Sequence, residues 1–97
     1  MDSIENITRD NARALAAVKA TRETELAQRL MKAIAESGER MLPWFGFSHL
    51  KDTVQDVSMI FARAALDVVA RVPAGPERTV ALRKLLEGKD AAVRAAL

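Results

Sequence analysis

The spacing of apolar residues predicts helices from one end of the chain to the other. In the N-terminal region, residues 1–40, one face repeats at steps of three or four positions. Its members are Ile4, Ile7, Asn11, Leu15, Val18, Leu26, Leu30 and Ile34. Thr21 and Thr24 interrupt this pattern, and either side chain would accept a hydrogen bond from the first turn of a second helix. We therefore expect residues 3–39 to form one long helix or two helices with a weak break, ending at Gly38.

A connector rich in aromatic residues separates this region from the most regular pattern in the chain. Residues 41–49 read Met-Leu-Pro-Trp-Phe-Gly-Phe-Ser-His, and Pro43 and Gly46 interrupt helical periodicity. Beyond them an apolar seam continues for about three heptads. It consists of Leu50, Val54, Val57, Phe61, Ala64, Val68 and Val72. Ser48 is the predicted N-cap, and a helix over residues 48–72 would be on the order of 35 Å long.

A Pro-containing turn leads into a last predicted helix over residues 76–96. Pro76 suits the first helical position, where its missing amide hydrogen costs nothing. Because so short a connection usually joins antiparallel neighbours, residues 48–97 should form a helical hairpin. Its packing face in the last helix would comprise Leu82, Leu85, Leu86, Ala92, Val93 and Ala96. Gly88 indicates a close backbone approach, a nearby ligand or a tolerated surface position.

The size and composition favour a single all-α domain over residues 1–97 that self-associates. Ala is the commonest residue, and the chain has one Trp, no Tyr and only three Phe. A chain of 97 residues buries only roughly 60–65% of its unfolded surface, so a monomer would be marginal. Oligomerisation would bury more surface. The acidic N-terminus has no apolar core run, and no stretch approaches the roughly 20 apolar residues of a membrane span, so we expect a cytoplasmic protein.

Few residues suggest catalysis. The chain has no cysteine and a single histidine, His49, and no nucleophile elbow, P-loop, dinucleotide fingerprint or metal motif is present. Asp52 and Asp56 are four residues apart, but such a pair on an amphipathic helix is usually solvated. We therefore expect no enzymatic activity, no metal and no cofactor.

Basic residues concentrate in the last quarter of the chain. Net charge is only +2, but residues 73–97 carry five basic and three acidic side chains. Arg83 and Arg94 are eleven residues apart, about three helical turns, so they share a face and would hold phosphates bidentately. The ordinary alternative is a solvated face in which Glu87 and Asp90 pair with these arginines.

The aromatic connector allows two interpretations. Trp44, Phe45 and Phe47 would fill the core at the end of the bundle, as most aromatic residues do in helical domains. Alternatively, a flat ring beside basic residues would be a stacking platform for a nucleobase.

The start of the last helix resembles a known family. Residues 72–87 combine a Pro-containing turn, Glu-Arg, and Ala-Leu-x-Lys-Leu followed by an acidic residue. The corresponding residues are Pro73, Pro76, Glu77, Arg78, Ala81, Leu82, Lys84, Leu85 and Glu87. This pattern resembles the C-terminal hairpin of phage cyclic-nucleotide sponges, which counter the CBASS and Thoeris defences of bacteria. The resemblance covers roughly residues 60–97; Arg83 stands where the family often has Thr.

The resemblance implies a small helical protomer that assembles into a multimer, often a hexamer. Such a protein would sequester cyclic di- or trinucleotides, or cyclic ADP-ribose isomers, in the host cytoplasm without cleaving them. The ligand-binding residues would be Arg78, Arg83, Lys84 and Arg94 for phosphates and Trp44 for stacking. The alternative is a helical module that binds a protein partner and no small molecule. The weak net charge argues against binding of a nucleic-acid polymer.

Overall fold

The computed structural model of the chain describes residues 23–97, and every regular element in that part is helical. Helix α1 covers residues 23–37 of the described part. A short 3-10 helix, Leu42–Phe45, precedes α2, Asp52–Arg71, and α3, Pro76–Ala96. The all-helical prediction is confirmed for this range. The predicted face from Ile4 to Val18 and the break at Thr21 lie outside the described residues.

Helix α1 ends where the sequence predicted. Gly38 has a φ of 65°, the left-handed conformation that closes a helix at little cost for glycine. The backbone N–H of Glu39 donates to the Ser37 hydroxyl at 3.2 Å and fixes the chain as it leaves the helix. Thr24 lies inside the helix, so its predicted role as an N-cap is wrong.

The aromatic connector forms part of the core. Leu42, Phe45 and Phe47 are buried, and they pack in one cluster with Leu26 and Leu30 of α1 and with residues of α2 and α3. Trp44, in the same 3-10 helix, is 66% exposed. The core interpretation therefore applies to the two phenylalanines and not to the tryptophan.

Helix α2 begins four residues later than predicted. Its N-cap is Lys51, and no side chain caps the first turn, so the prediction that Ser48 is the cap is wrong. The physical reason is a turn in which the N–H of Leu50 donates to the Phe47 carbonyl at 3.0 Å. The Gln55 side chain donates to the same carbonyl at 3.3 Å and links this turn to the start of the helix.

The most buried face of α2 is displaced by about one residue from the predicted seam. It consists of Val54, Ser58, Met59, Ala62, Ala65 and Leu66. The seam residues that follow Val54 within the helix are only half-buried: Val57, Phe61, Ala64 and Val68. Ser58, Ala62 and Ala65 are fully buried because small side chains allow close packing against the rest of the core.

Helices α2 and α3 are joined by residues 72–75 and pack against each other. Pro76 lies in the first turn of α3, as predicted, and the N–H of Thr79 donates to the carbonyl of Gly75 at 3.2 Å. A Cβ built on Gly88 would lie 3.2 Å from Cε1 of Phe61. The close approach suggested by this glycine is therefore present, and the approaching group is an aromatic ring. Among the described residues, no helix has the length and apolarity that crossing a membrane requires.

Candidate functional site

The five basic residues of α3 fall into two groups. Arg78 and Lys89 are each only 8% exposed, although their side chains carry charge. The exposed group consists of Arg83, Lys84 and Arg94. Buried charges need partners, whereas exposed ones are solvated, so the two groups have different roles.

Arg78 fastens three parts of the chain together. Its Nη1 donates to the carbonyl of Val72 at 3.1 Å and more weakly to that of Val69 at 3.5 Å. Its Nη2 forms an ion pair with Oε2 of Glu39 at 3.2 Å. The carbonyls at the end of α2 lack helical partners, and the guanidinium supplies them. We call Arg78, Glu39 and these two carbonyls the arginine clamp.

The sequence assigned Arg78 to ligand binding, whereas the structure commits its guanidinium to this clamp. Arg78 is sixteen residues before Arg94, about 24 Å along the axis of α3. The two side chains therefore do not face one small ligand within a single protomer.

Lys89 is the residue that sequence reasoning left out of the predicted site. Its Nζ donates to the Trp44 carbonyl at 2.6 Å and to the Gly46 carbonyl at 3.3 Å, so it caps the end of the 3-10 helix. Burial lowers the pKa of Lys89, while the negative charge of Asp90 acts in the opposite direction. One feature of the sequence could have indicated that Lys89 is buried: it follows the buried Leu82 by seven residues, about two helical turns, and so lies on the packed side of α3.

A cleft of about 270 Å³ lies beside this lysine. It is lined by His49, Leu50, Lys89, Asp90, Val93 and Arg94. The lining therefore combines two cationic groups, one carboxylate, an imidazole and two aliphatic side chains. Through Lys89 the cleft adjoins the backbone of Trp44, so the structure brings two of the predicted residues, Arg94 and Trp44, to the same end of the molecule.

Arg83 and Lys84 lie outside this cleft. Lys84 Nζ is 3.4 Å from Oε2 of Glu87, and the two side chains are 70% and 61% exposed. A pair this exposed contributes little to stability. Arg83 is eleven residues before Arg94, about 16 Å along the helix axis on the same face.

A second groove, of about 420 Å³, runs between α1 and α2. Its lining residues are Arg29, Lys32, Ala33, Glu36, Ser37, Leu66, Val69 and Ala70. No cluster of histidine and carboxylate side chains that would hold a metal ion occurs in the part of the chain from residue 23 onward.

Comparisons with protein-family models, with curated proteins and with solved structures give no match.

Proposed function

We propose that the protein is a non-enzymatic binding protein that captures a cyclic-nucleotide signal. The observation that carries the proposal is the placement of the exposed Arg94 in a cleft whose Lys89 binds the backbone carbonyl of Trp44, a residue with an exposed side chain. An arginine fork matches the oxygens of a phosphate, and an exposed indole offers a stacking surface for a base.

In this proposal the ligand is a cyclic oligonucleotide or a cyclic ADP-ribose isomer. Arg94 and Arg83 contact phosphates from one face of α3, and Lys84 contributes positive charge beside them. Trp44 stacks on a base. Arg78 acts indirectly, because its clamp holds the first turn of α3 in place. The resemblance of residues 72–87 to phage sponges supplies the ligand class and the role against bacterial defence.

We also propose that α2 and α3 form an antiparallel hairpin and that the protein assembles into a homo-oligomer, up to a hexamer. Phe61, ten residues before the end of α2, lies against Gly88, twelve residues after the start of α3, which supports the hairpin. Six large apolar side chains are exposed among the described residues, which supports self-association. They are Met31, Trp44, Ile60, Val72, Val80 and Leu97.

Equilibrium dialysis against cyclic dinucleotides, cyclic trinucleotides and cyclic ADP-ribose isomers tests the proposal. We expect one class to be retained and to be recovered chemically intact after the protein is denatured. The double variant Arg83→Ala/Arg94→Ala should lose the ligand while its mass by light scattering stays unchanged. Arg63→Ala/Arg71→Ala is the matched control, since it removes the same charge from exposed positions of α2.

Two results would contradict the proposal. Undiminished binding by Arg83→Ala/Arg94→Ala would remove these arginines from the site. Recovery of a cleaved or linearised ligand would show an enzyme instead of a sponge.

The groove between α1 and α2 favours a second candidate, a module that binds a helical protein segment. Leu66 and Val69 give this groove apolar surface, and Arg29, Lys32 and Glu36 give it charged groups. Such grooves accept the apolar face of an amphipathic helix. Retention of no cyclic nucleotide, together with loss of partner binding in Ala70→Asp, at an exposed position of the groove, would favour this module over the sponge.

A further inference from the structure

Lys89 carries a buried charge that pairs with no carboxylate of residues 23–97. Its only hydrogen-bond acceptors in the described part of the chain are the carbonyls of Trp44 and Gly46. An ammonium group has three donors, so these two bonds leave one N–H. Asp90 influences Lys89 electrostatically, but the two do not form an ion pair. Buried charges in proteins are normally paired with an opposite charge, and Lys89 lies in the lining of a cleft open to solvent.

The remaining groups around that cleft indicate what kind of anion fits. Arg94 offers a second cation, with fork geometry suited to a phosphate. Asp90 would repel a bare anion but would accept a hydrogen bond from a hydroxyl. Leu50 and Val93 supply apolar surface for a carbon skeleton.

We infer that the cleft lined by Lys89, Arg94 and Asp90 binds a sugar phosphate. The phosphate accepts from Lys89 Nζ and the Arg94 guanidinium, and a sugar hydroxyl donates to the Asp90 carboxylate. At about 270 Å³ the cleft has room for one sugar phosphate unit. The inference rests on the proposed function and deepens it, because it names the unit of the ligand that this cleft holds.

Nitrogen-15 NMR titration with ribose 5-phosphate tests the inference. We expect saturable shifts of the backbone amides of residues 49–50 and 89–94. Inorganic phosphate should shift the same amides with weaker affinity, because it lacks the hydroxyl that Asp90 would accept. Ribose alone, and sodium chloride at matched ionic strength, should leave them unmoved. Equal affinity for ribose 5-phosphate and inorganic phosphate would overturn the assignment of the sugar.

Three variants locate the phosphate. Arg94→Gln, at an exposed position, should weaken binding of ribose 5-phosphate about tenfold or more, as loss of a charge-assisted hydrogen bond predicts. Arg71→Gln, at an exposed position of α2 outside the cleft, should change the affinity less than twofold. Lys89→Met should weaken binding at least as much as Arg94→Gln. If Lys89→Met fails to fold by circular dichroism, the comparison of the two arginine variants decides the question.

Equal effects of Arg94→Gln and Arg71→Gln would overturn the inference, since they would indicate attraction to the protein's general surface charge. Its failure is distinguishable from failure of the proposed function. Ribose 5-phosphate bound in the cleft with no cyclic nucleotide retained in dialysis would leave only the inference standing. A retained cyclic nucleotide without binding of ribose 5-phosphate in the cleft would leave only the proposed function.

Discussion

Replacing Arg78 by methionine removes the arginine clamp while keeping most of the side chain's apolar stem. Arg78 and Glu39 are 8% and 10% exposed, so solvent screens their interaction little. The change leaves the Glu39 carboxylate without its ion-pair partner and the Val72 carbonyl without its donor. Both groups then remain buried away from water without a hydrogen-bond partner, which destabilises the folded state.

The magnitude follows from these two contacts. Hydrogen bonds to charged groups contribute about 1.5–3 kcal/mol each, which gives about 3–6 kcal/mol for two. Removing one partner of a buried ion pair costs about 3–5 kcal/mol in other proteins, which agrees. We expect Arg78→Met to lower the free energy of unfolding by about 3–5 kcal/mol, a large part of the roughly 5–15 kcal/mol of a small domain. Glu39→Gln, which keeps a neutral acceptor, should cost about 1–2 kcal/mol.

Urea unfolding followed by far-UV circular dichroism measures these losses. The double variant Arg78→Met/Glu39→Gln completes a thermodynamic cycle, and we expect a coupling of about 1–3 kcal/mol between the two sites. Lys84→Met is the matched control, because it breaks an ion pair on the same helix that is largely exposed. It should cost less than about 1 kcal/mol.

The reasoning would be refuted if Arg78→Met cost no more than Lys84→Met. Burial would then fail to distinguish the two ion pairs. Additive effects in the cycle would show that Arg78 and Glu39 act independently despite the 3.2 Å between Nη2 and Oε2.

Three further changes test the packing of the core and the connector. Ser58→Ala should raise the free energy of unfolding by about 1 kcal/mol, because it removes a buried hydroxyl that has no hydrogen-bond partner among the described residues; a loss in urea unfolding would contradict this. Phe45→Ala should cost about 3–5 kcal/mol and Trp44→Ala less than about 0.5 kcal/mol, because one side chain is buried and its neighbour is exposed; equal losses would contradict the fold. Lys89 has a lowered pKa, so the unfolded chain binds more protons between its folded and unfolded pKa values. The wild type should therefore gain stability relative to Lys89→Met as pH rises towards 10.5, and a flat difference would contradict this.

The fold was predictable where backbone chemistry is local. Gly38 ends α1 because glycine adopts the left-handed conformation easily, and Pro76 starts α3 because its fixed φ suits a first helical turn. The start of α2 was not predictable in this way, because the turn at residues 47–50 depends on a hydrogen bond from Gln55 to Phe47. The displaced core face of α2 has a similar cause. Small residues such as Ser58 carry little hydrophobic signal, yet close packing buries them completely.

The candidate site shows the same division. Spacing alone placed Arg83 and Arg94 on one helix face, since helical periodicity is a local property. Helical spacing does not distinguish Arg78 from Arg83. Contacts with Glu39 and with the carbonyls at the end of α2 make Arg78 the clamp. Lys89 likewise acquires its role from carbonyls more than forty residues away in sequence. Whether a charged side chain of α3 is buried or exposed therefore depends on its tertiary partners, and sequence spacing does not specify these partners.

The central claim, capture of a cyclic-nucleotide signal, is tested most directly by thermal unfolding in the presence of a ligand panel. The panel contains cyclic dinucleotides, cyclic trinucleotides, cyclic ADP-ribose isomers and the linear counterpart of each. A ligand at 100 times its Kd adds about 2.7 kcal/mol, which corresponds to a rise in Tm of roughly 10–20 °C for a domain of this size. We predict such a rise with one cyclic class and none with its linear counterpart. An unchanged Tm across the panel, with the protein folded, would contradict the proposal and favour a protein partner.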